Sequence, residues 1–450
     1  MQKFVDGVIR VFDRYMPEPF AFGVLMTLMA MVLTWAATDA QPVQVVVAWG
    51  DGLSMLLPFI TQVCLTIMFA FALAHLGPVP KYLHRLASLP RSSTMAYAFC
   101  ALFTGAVCLL CWPLGTILGG LMAKEVALSC RARGIAVHYP LLGGAAFSGF
   151  VVWHMGYTAS APLLVATAGN PMEAMLGGLL PVTETILSTS NLLAIVATLT
   201  VVALVATRLE PDEAEPITDE VAARTGMPDS DAAEAAPSRP GFAGYIENAR
   251  WPSTVMGLLL FGYVGYWFLT NGIQLDLNLV NWSFLALCLV LSRSPREFSD
   301  VLMNGGRAVI PTLLQYPLYA GIMGIMLNTG LVADLANLFA RVGTAETLPL
   351  IAFFSGGLIN LFIPSGGAQW AVQGPAFLEA AATLGTDPEL IVMGVAYGDQ
   401  WTNIIHPFVI IPLLIMTGLR ANQVLPFSFI MFLAATVPLA GALYLAAVFA

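Results

Sequence analysis

TLPLIAFFSGGLINLFIPSGGAQWAVQGPAFL, the stretch from Thr347 to Leu378, fixes how the rest of the chain is read. It runs 32 residues without a charged side chain, between Glu346 and Glu379. One bilayer crossing takes about 20 apolar residues and two take about 40. The run is therefore too long for one crossing and too short for two. Its centre holds Pro364, Gly366 and Gly367, which interrupt helices. A helix that enters the bilayer, breaks and returns to the same side fits this length. A pair of tilted or kinked ordinary spans is the competing arrangement. Backbone broken at membrane depth survives only where protein or a watery cavity satisfies it.

Working outward, Ser92–Ala123 is also charge-free and 32 residues long, with Pro113, Gly115, Gly119 and Gly120 inside it. Pro113 and Pro364 lie 251 positions apart. Gly52, Pro58 and Gln62 recur as Gly305, Pro311 and Gln315, 253 positions later. A looser pair, Gly156…Pro162 and Gly398…Pro407, follows in the same order. These matches point to an internal repeat. The whole chain is 58% hydrophobic and 10% charged, with a mean hydropathy of +0.80. A soluble chain carries about a quarter charged residues, so soluble, disordered, collagen-like and coiled-coil classes are excluded. A β-barrel would alternate polar and apolar residues.

The net charge of −9 is local. Residues 209–249 hold ten carboxylates, two arginines and five prolines. Such a segment cannot bury enough apolar surface to fold alone. It reads as an acidic, disordered cytoplasmic linker between a first membrane repeat, 1–208, and a connector helix plus second repeat, 250–450. The six cysteines include the pair Cys108 and Cys111, without a second pair or a nearby histidine for zinc. Basic residues Lys3, Arg10 and Arg14 precede an apolar stretch too long for a signal core, so it reads as a retained first span.

Charge orients the spans. Lys81, Arg85 and Arg91 before the first run, and Lys124, Arg131 and Arg133 after it, put both its ends in the cytoplasm. The second run, between glutamates, opens to the outside. Nine spans then close the path: 18–38, 53–75, 139–170, 189–207, 252–270, 278–292, 308–328, 389–418 and 424–448. The third and eighth are broken, and Pro171–Ser188 is interfacial. The expected fold is an all-α polytopic membrane protein. It has two inverted repeats, each with a re-entrant hairpin and a broken transmembrane helix, the architecture of a secondary transporter whose substrate sits near the midplane.

A broken helix exposes free N–H groups and a positive dipole end, which favour an anion. Gly366 and Gly367 let backbone approach a ligand, and Ser365, Gln369 and Gln373 add neutral donors. No lysine or arginine lies in the proposed spans or hairpin cores, so a carboxylate would be held by dipoles and hydroxyls, with room for an apolar tail. Trp370 belongs to the same hairpin; Trp112, Gly115 and Thr116 sit at the first one, and Thr158 and Ser160 at the first broken span. Asp399 is the acid of the second broken span, and an intramembrane carboxylate is functional by default. Gly398, Thr402, Asn403, Asn360 and His154 are grouped with it as a coupling site. A sodium ion near Asp399 with carbonyls, Thr402 and Asn403 as oxygen ligands is one expectation, and a proton on Asp399 is the other. The bland readings are plain: hydroxyls bonded to their own helices, Trp370 and Trp401 as packing, His154 and His406 as satisfied neutral imidazoles.

The motifs Pro364-Ser365-Gly366-Gly367-Ala368-Gln369-Trp370, Gln373-Gly374-Pro375 and Tyr397-Gly398-Asp399-Gln400-Trp401-Thr402-Asn403 resemble signatures of the bacterial short-chain fatty acid transporter family. Trp49-Gly50-Asp51-Gly52, Pro162-Leu163-Leu164, Gly169-Asn170-Pro171 and Gln315-Tyr316-Pro317 extend the resemblance over most of the chain, the linker excepted. It implies a multi-pass carrier in the bacterial cytoplasmic membrane. Its substrate would be a small carboxylate such as acetoacetate or butyrate, moved with Na⁺ or H⁺ by an elevator-type homodimer. Membrane lipid is the surrounding partner and nucleic acid is not expected. A hydrolase built on Ser365, Asp399 and His406 lacks a motif that frames the serine as a nucleophile. A channel would not need broken repeats.

Overall fold

The computed structural model describes residues 2–449 apart from 16, 18, 56, 168, 171, 225–240, 273–276, 308, 332–333, 335–336 and 339–340. Among them every regular element is helical. Proline recurs in the first turn of many of these helices, where its fixed φ suits the helix and its missing N–H costs nothing.

The first half opens with α1 (Gln2–Tyr15), α2 (Pro19–Ala37), α3 (Pro42–Gly52), α4 (Leu57–His75) and the amphipathic α5 (Val79–Ala87). The span expected at 53–75 thus begins at Leu57, and Trp49-Gly50-Asp51-Gly52 belongs to a separate helix. Next come α6 (Ser93–Leu110) and α7 (Trp112–Ala132), parted by one extended residue, Cys111, with φ −157 and ψ 108. The Ser92 hydroxyl caps α6 by accepting from Met95 N at 3.2 Å. A Cβ on Gly115 would overlap Cys108, and one on Gly119 would overlap Thr104. The pairing of 115 with 108 and 119 with 104 makes the two helices antiparallel arms closed at Cys111. At 18 residues, α6 spans about 27 Å, so length alone does not prevent it from crossing a bilayer.

The first broken span follows. Helix α8 (Tyr139–Ser148) tightens into a 3₁₀ segment, Gly149–Met155, stops at Gly156, and resumes as α9 (Ser160–Val165). Among the described residues between there and α11 (Thr189–Ala206), the short α10 (Glu173–Leu176) is the one regular element. The stretch after α11, expected to be disordered linker, is in part docked. Leu209 and Ile217 are buried. The Glu210 carboxylate accepts from Ser93 Oγ at 2.9 Å and Tyr97 Oη at 3.0 Å. His138 Nδ1 accepts from Glu215 N at 3.0 Å, and Arg131 donates to Ile217 O and Asp219. Short helices α12 (Asp219–Arg224) and α13 (Gly241–Asn248) flank residues 225–240, which lie outside the described residues.

The second half contains α14 (Trp251–Asn271), α15 (Leu277–Leu291), the amphipathic α16 (Pro295–Arg307) and α17 (Ile310–Asn328). Its hairpin arms are α18 (Leu348–Asn360) and α19 (Gly366–Leu384), and its broken span is α20 (Pro388–Asn403) and α21 (Ile411–Thr417), separated by turns at 404–410. The last helix is α22 (Ala421–Phe449). Both spans expected to break do break. Five described helices, α2, α6, α11, α14 and α22, are long and apolar enough to cross a membrane. Helices α2–α4 and α14–α17 pack among themselves, as do α6–α9, α11 and α18–α22, with α4 against α7 joining the two groups.

Candidate functional site

The broken segments and hairpin tips meet around a cavity of about 330 Å³. Its polar wall is formed by Thr158, Ser160, Ser365, Gly366, Gly367 and Asn403. None of the side chains lining it is charged. Two long helices begin there. In α19 the first intrahelical bond is Gln369 N to Ser365 O, at 2.8 Å, so the N–H groups ahead of it have no acceptor within the helix. Ser365 makes no side-chain cap. In α7 the Trp112 N–H is met by Thr158 Oγ1 at 3.2 Å. Two positive helix ends therefore lie on one wall, with hydroxyls beside them.

Behind Ser160 runs a hydrogen-bonded chain. Ala161 N donates to His154 Nε2 at 3.1 Å, so that nitrogen holds a lone pair and the ring proton sits on Nδ1. Nδ1 then donates to Asp399 Oδ2 at 2.8 Å. Ser160 Oγ is 3.1 Å from Nε2. His154 and Asp399 have no solvent exposure. Gln400 Oε1 accepts from His154 N at 2.9 Å, fixing the backbone of the 3₁₀ segment. Gly366 seats this chain: a Cβ there would lie 2.6 Å from Ser160 Oγ and 3.0 Å from His154 Nε2.

Some of the oxygens expected near a sodium ion are hydrogen-bonded, while Asp399 Oδ1 and Asn360 Oδ1 are buried without a partner. Asn360 Nδ2 lies 3.0 Å from Asp399 O, 2.9 Å from Thr402 Oγ1 and 2.7 Å from Asn403 Oδ1. Thr402 Oγ1 in turn donates to Gly357 O at 3.0 Å. The Asn360 amide nitrogen therefore lies among three of the oxygens grouped with the coupling site. Gly398 allows α20 to approach α18, since a Cβ would overlap Phe353 O.

Of the expected substrate ligands, Trp112, Thr158, Ser160, Ser365, Gly366 and Gly367 line the cavity. Gln369, Gln373, Trp370, Gly115 and Thr116 do not. Gln369 Nε2 donates to Gly356 O at 2.9 Å and Gln373 Nε2 to Ser355 Oγ at 2.6 Å; both fasten the arms of the second hairpin. Trp370 is buried in a satellite core with Met172 and Phe377. Gly115 packs on Cys108, and Thr116 is buried in the hairpin. Trp401 is packing: its ring stacks on Phe432 at 4.3 Å and its N–H reaches Phe432 O. His406 is a satisfied neutral ring, accepting from Phe408 N and donating to Leu361 O. Sequence reasoning missed the apolar wall, which includes Phe150, Trp153, Val280, Tyr316, Phe408 and Val409. Tyr316 stands in the Gln315-Tyr316-Pro317 motif and Phe408 in the Pro407-Phe408 pair that follows Asn403; nothing in the residues alone marked the others.

Helical hairpins and two broken helices around an uncharged cavity are features of a polytopic membrane transporter. A family model described as short chain fatty acid transporter matches residues 1–446. The chain belongs to that short-chain fatty acid transporter family, and is a multi-pass membrane protein. A relative from Escherichia coli (strain K12), provisionally named a short-chain fatty acid transporter, is 32% identical over 416 residues, 92% of this chain and 93% of that one. One from Haemophilus influenzae, with the same provisional name, is 31% identical over 421 residues, again 92% and 93% of the two chains. Among solved structures, the Alcanivorax borkumensis YdaH transporter aligns over 96% of this chain and 99% of that one, at 15% identity and a TM-score of 0.41. Neisseria gonorrhoeae MtrF, titled among antimetabolite efflux pumps, aligns over 97% of each chain at 16% identity and a TM-score of 0.40.

Proposed function

We propose that this protein is a secondary active transporter of short-chain fatty acids, with acids of acetoacetate and butyrate size as substrates, in the bacterial cytoplasmic membrane. The observation that carries the reading is the cavity itself. The starts of α7 and α19 and the hydroxyls of Thr158 and Ser160 offer a carboxylate a polar wall without a formal charge, and the remaining walls are apolar. That division suits a small acid with a short tail and suits a polyanion poorly.

The coupling ion in this reading is a proton. The Ser160–His154–Asp399 chain links the cavity to a buried acid, and the Asn360 amide nitrogen already engages the Thr402 and Asn403 oxygens. The two hairpin tips that abut one cavity support re-entrant loops entering from opposite sides, as inverted repeats require. The elevator motion and homodimer implied by the family resemblance go with the proposal. The test is uptake into proteoliposomes of straight-chain acids from C2 to C8, each under an imposed proton or sodium gradient. Accumulation of short acids driven by the proton gradient is expected. Accumulation driven by sodium alone would overturn the coupling, and no uptake of any acid would overturn the function.

A further inference from the structure

The apolar wall is built largely of braced rings. Trp112, Phe150 and Trp153 form one aromatic face, with ring centroids 5.6–6.2 Å apart. Trp112 is also held through its backbone N–H by Thr158. Phe408 forms another face, pressed on Tyr316 at 3.9 Å and Tyr319 at 4.5 Å. These rings brace one another, so neither face yields without repacking. Between them the wall is aliphatic, and Val280 is the residue that α15 contributes.

Helix α15 is pinned where Val280 sits. Its neighbour Asn281 accepts from Thr66 Oγ1 at 2.7 Å and donates to Gln62 O at 2.9 Å. One turn earlier, Asn278 Oδ1 accepts from Gln62 Nε2 at 3.0 Å. Three hydrogen bonds therefore tie this turn of α15 to α4. Val280 itself is 5% exposed. A side chain on a clamped backbone is a fixed boundary, and a longer acyl tail cannot push it back.

We infer that Val280, backed by the Asn281 clamp, sets the longest acyl chain the cavity accepts. This rests on the proposed carboxylate function: the acid group sits at the α19 helix end and the tail points toward α15. Val280 is a specificity-determining residue, and Asn281 positions it. Each methylene that gains or loses a place in the cavity changes affinity about fourfold, equivalent to about 0.8 kcal/mol.

The test uses purified full-length protein and sodium salts of the C2, C4, C6 and C8 acids, measuring binding and reading the ratio of C6 to C4 affinity. Val280→Ala raises that ratio about fourfold or more, and Val280→Phe lowers it by at least as much. Asn281→Ala leaves residue 280 intact and frees the helix, and it also raises the ratio. Thermal unfolding identifies any variant that fails to fold, and the inference is then decided on the others. Ratios unmoved in the folded variants overturn the stop while leaving the transport reading intact. Wild-type protein that binds none of the four acids overturns both.

Discussion

Replacing Gly366 with alanine tests the site most sharply, because its neighbour provides an internal control. A Cβ at 366 would lie 2.6 Å from Ser160 Oγ and 3.0 Å from His154 Nε2, and would overlap the imidazole edge itself. Ordinary contact begins near 3.4 Å, so one partner must retreat by roughly an ångström. His154 cannot retreat easily: Asp399 and Ala161 hold both ring nitrogens. The strain falls on the start of α19, the same backbone proposed to meet the carboxylate. Overpacking of this kind costs about 1–3 kcal/mol, or roughly 5- to 150-fold in affinity. Gly367→Ala adds the same methyl one residue along, where it meets only Ser160 Cβ at 3.8 Å. Calorimetric titration of both variants with butyrate is the assay. The expected result is a loss of at least about fivefold at 366 and less than about threefold at 367. Equal losses at both positions, or none at 366, would refute the placement of the anion at this helix end.

Asp399→Asn keeps the shape of the acid and removes its proton-carrying role; the variant should exchange labelled for unlabelled substrate yet lose uphill accumulation, and wild-type accumulation ratios would sink the coupling role. Gln373→Ala leaves the buried Ser355 hydroxyl without its amide donor; destabilisation of about 1–3 kcal/mol is expected, visible as a lower Tm, with substrate affinity changing far less than in the Gly366 variant. The strap from 209 to 219 should loosen in acid. Burial lowers the His138 pKa from 6.5 to about 4, so the unfolded chain takes up the proton first and stability falls as pH drops from about 6.5 toward 4. Protonation also turns the acceptor for Glu215 N into a donor. Protease access at 209–219 should therefore rise over that window in wild type, and a His138→Gln variant should show a flatter profile. Finally, deletion of 225–240 should leave uptake intact, whereas Glu210→Ala, which removes the acceptor for Ser93 and Tyr97, should lower Tm.

The breaks were legible because proline, glycine and the lack of charge over a fixed length state them directly. Gly156 and the Pro364–Gly367 run mark real interruptions, whereas Gly398, expected to permit the break at Asp399, lies inside α20 and marks a close approach to Phe353, the break coming at 404–410. The role of a polar residue within a hairpin was not legible in the same way. Gln369 and Gln373 share a helix with Gly366 and Gly367, yet their side chains turn to the opposite arm, a choice set by where Gly356 and Ser355 stand. Asn360 does lie beside Asp399, but only the packing of α18 on α20 shows that its amide nitrogen reaches the Asp399 carbonyl and the Asn403 side chain. The strap shows the same limit: composition marks 209–249 as unable to fold alone, and says nothing of the Tyr97 and His138 groups that receive its first ten residues. Val280 carries no signal beyond being apolar, so its place in the tail wall could come only from the assembled fold.

The uncharged lining of the cavity has an electrical consequence. With no cation in the wall, a bound carboxylate adds a full negative charge to the moving site. Each such charge carried across the membrane exchanges about 2.3 kcal/mol with a 100 mV potential. Inside-negative polarity would then oppose entry of every acid molecule. If, as proposed, a proton is taken up at the Ser160–His154–Asp399 chain with each acid, the loaded site returns to the net charge of the unloaded one. Transport on that proposal would be indifferent to voltage and respond to the pH difference alone, so a potassium diffusion potential imposed without a pH step should leave the uptake rate unchanged.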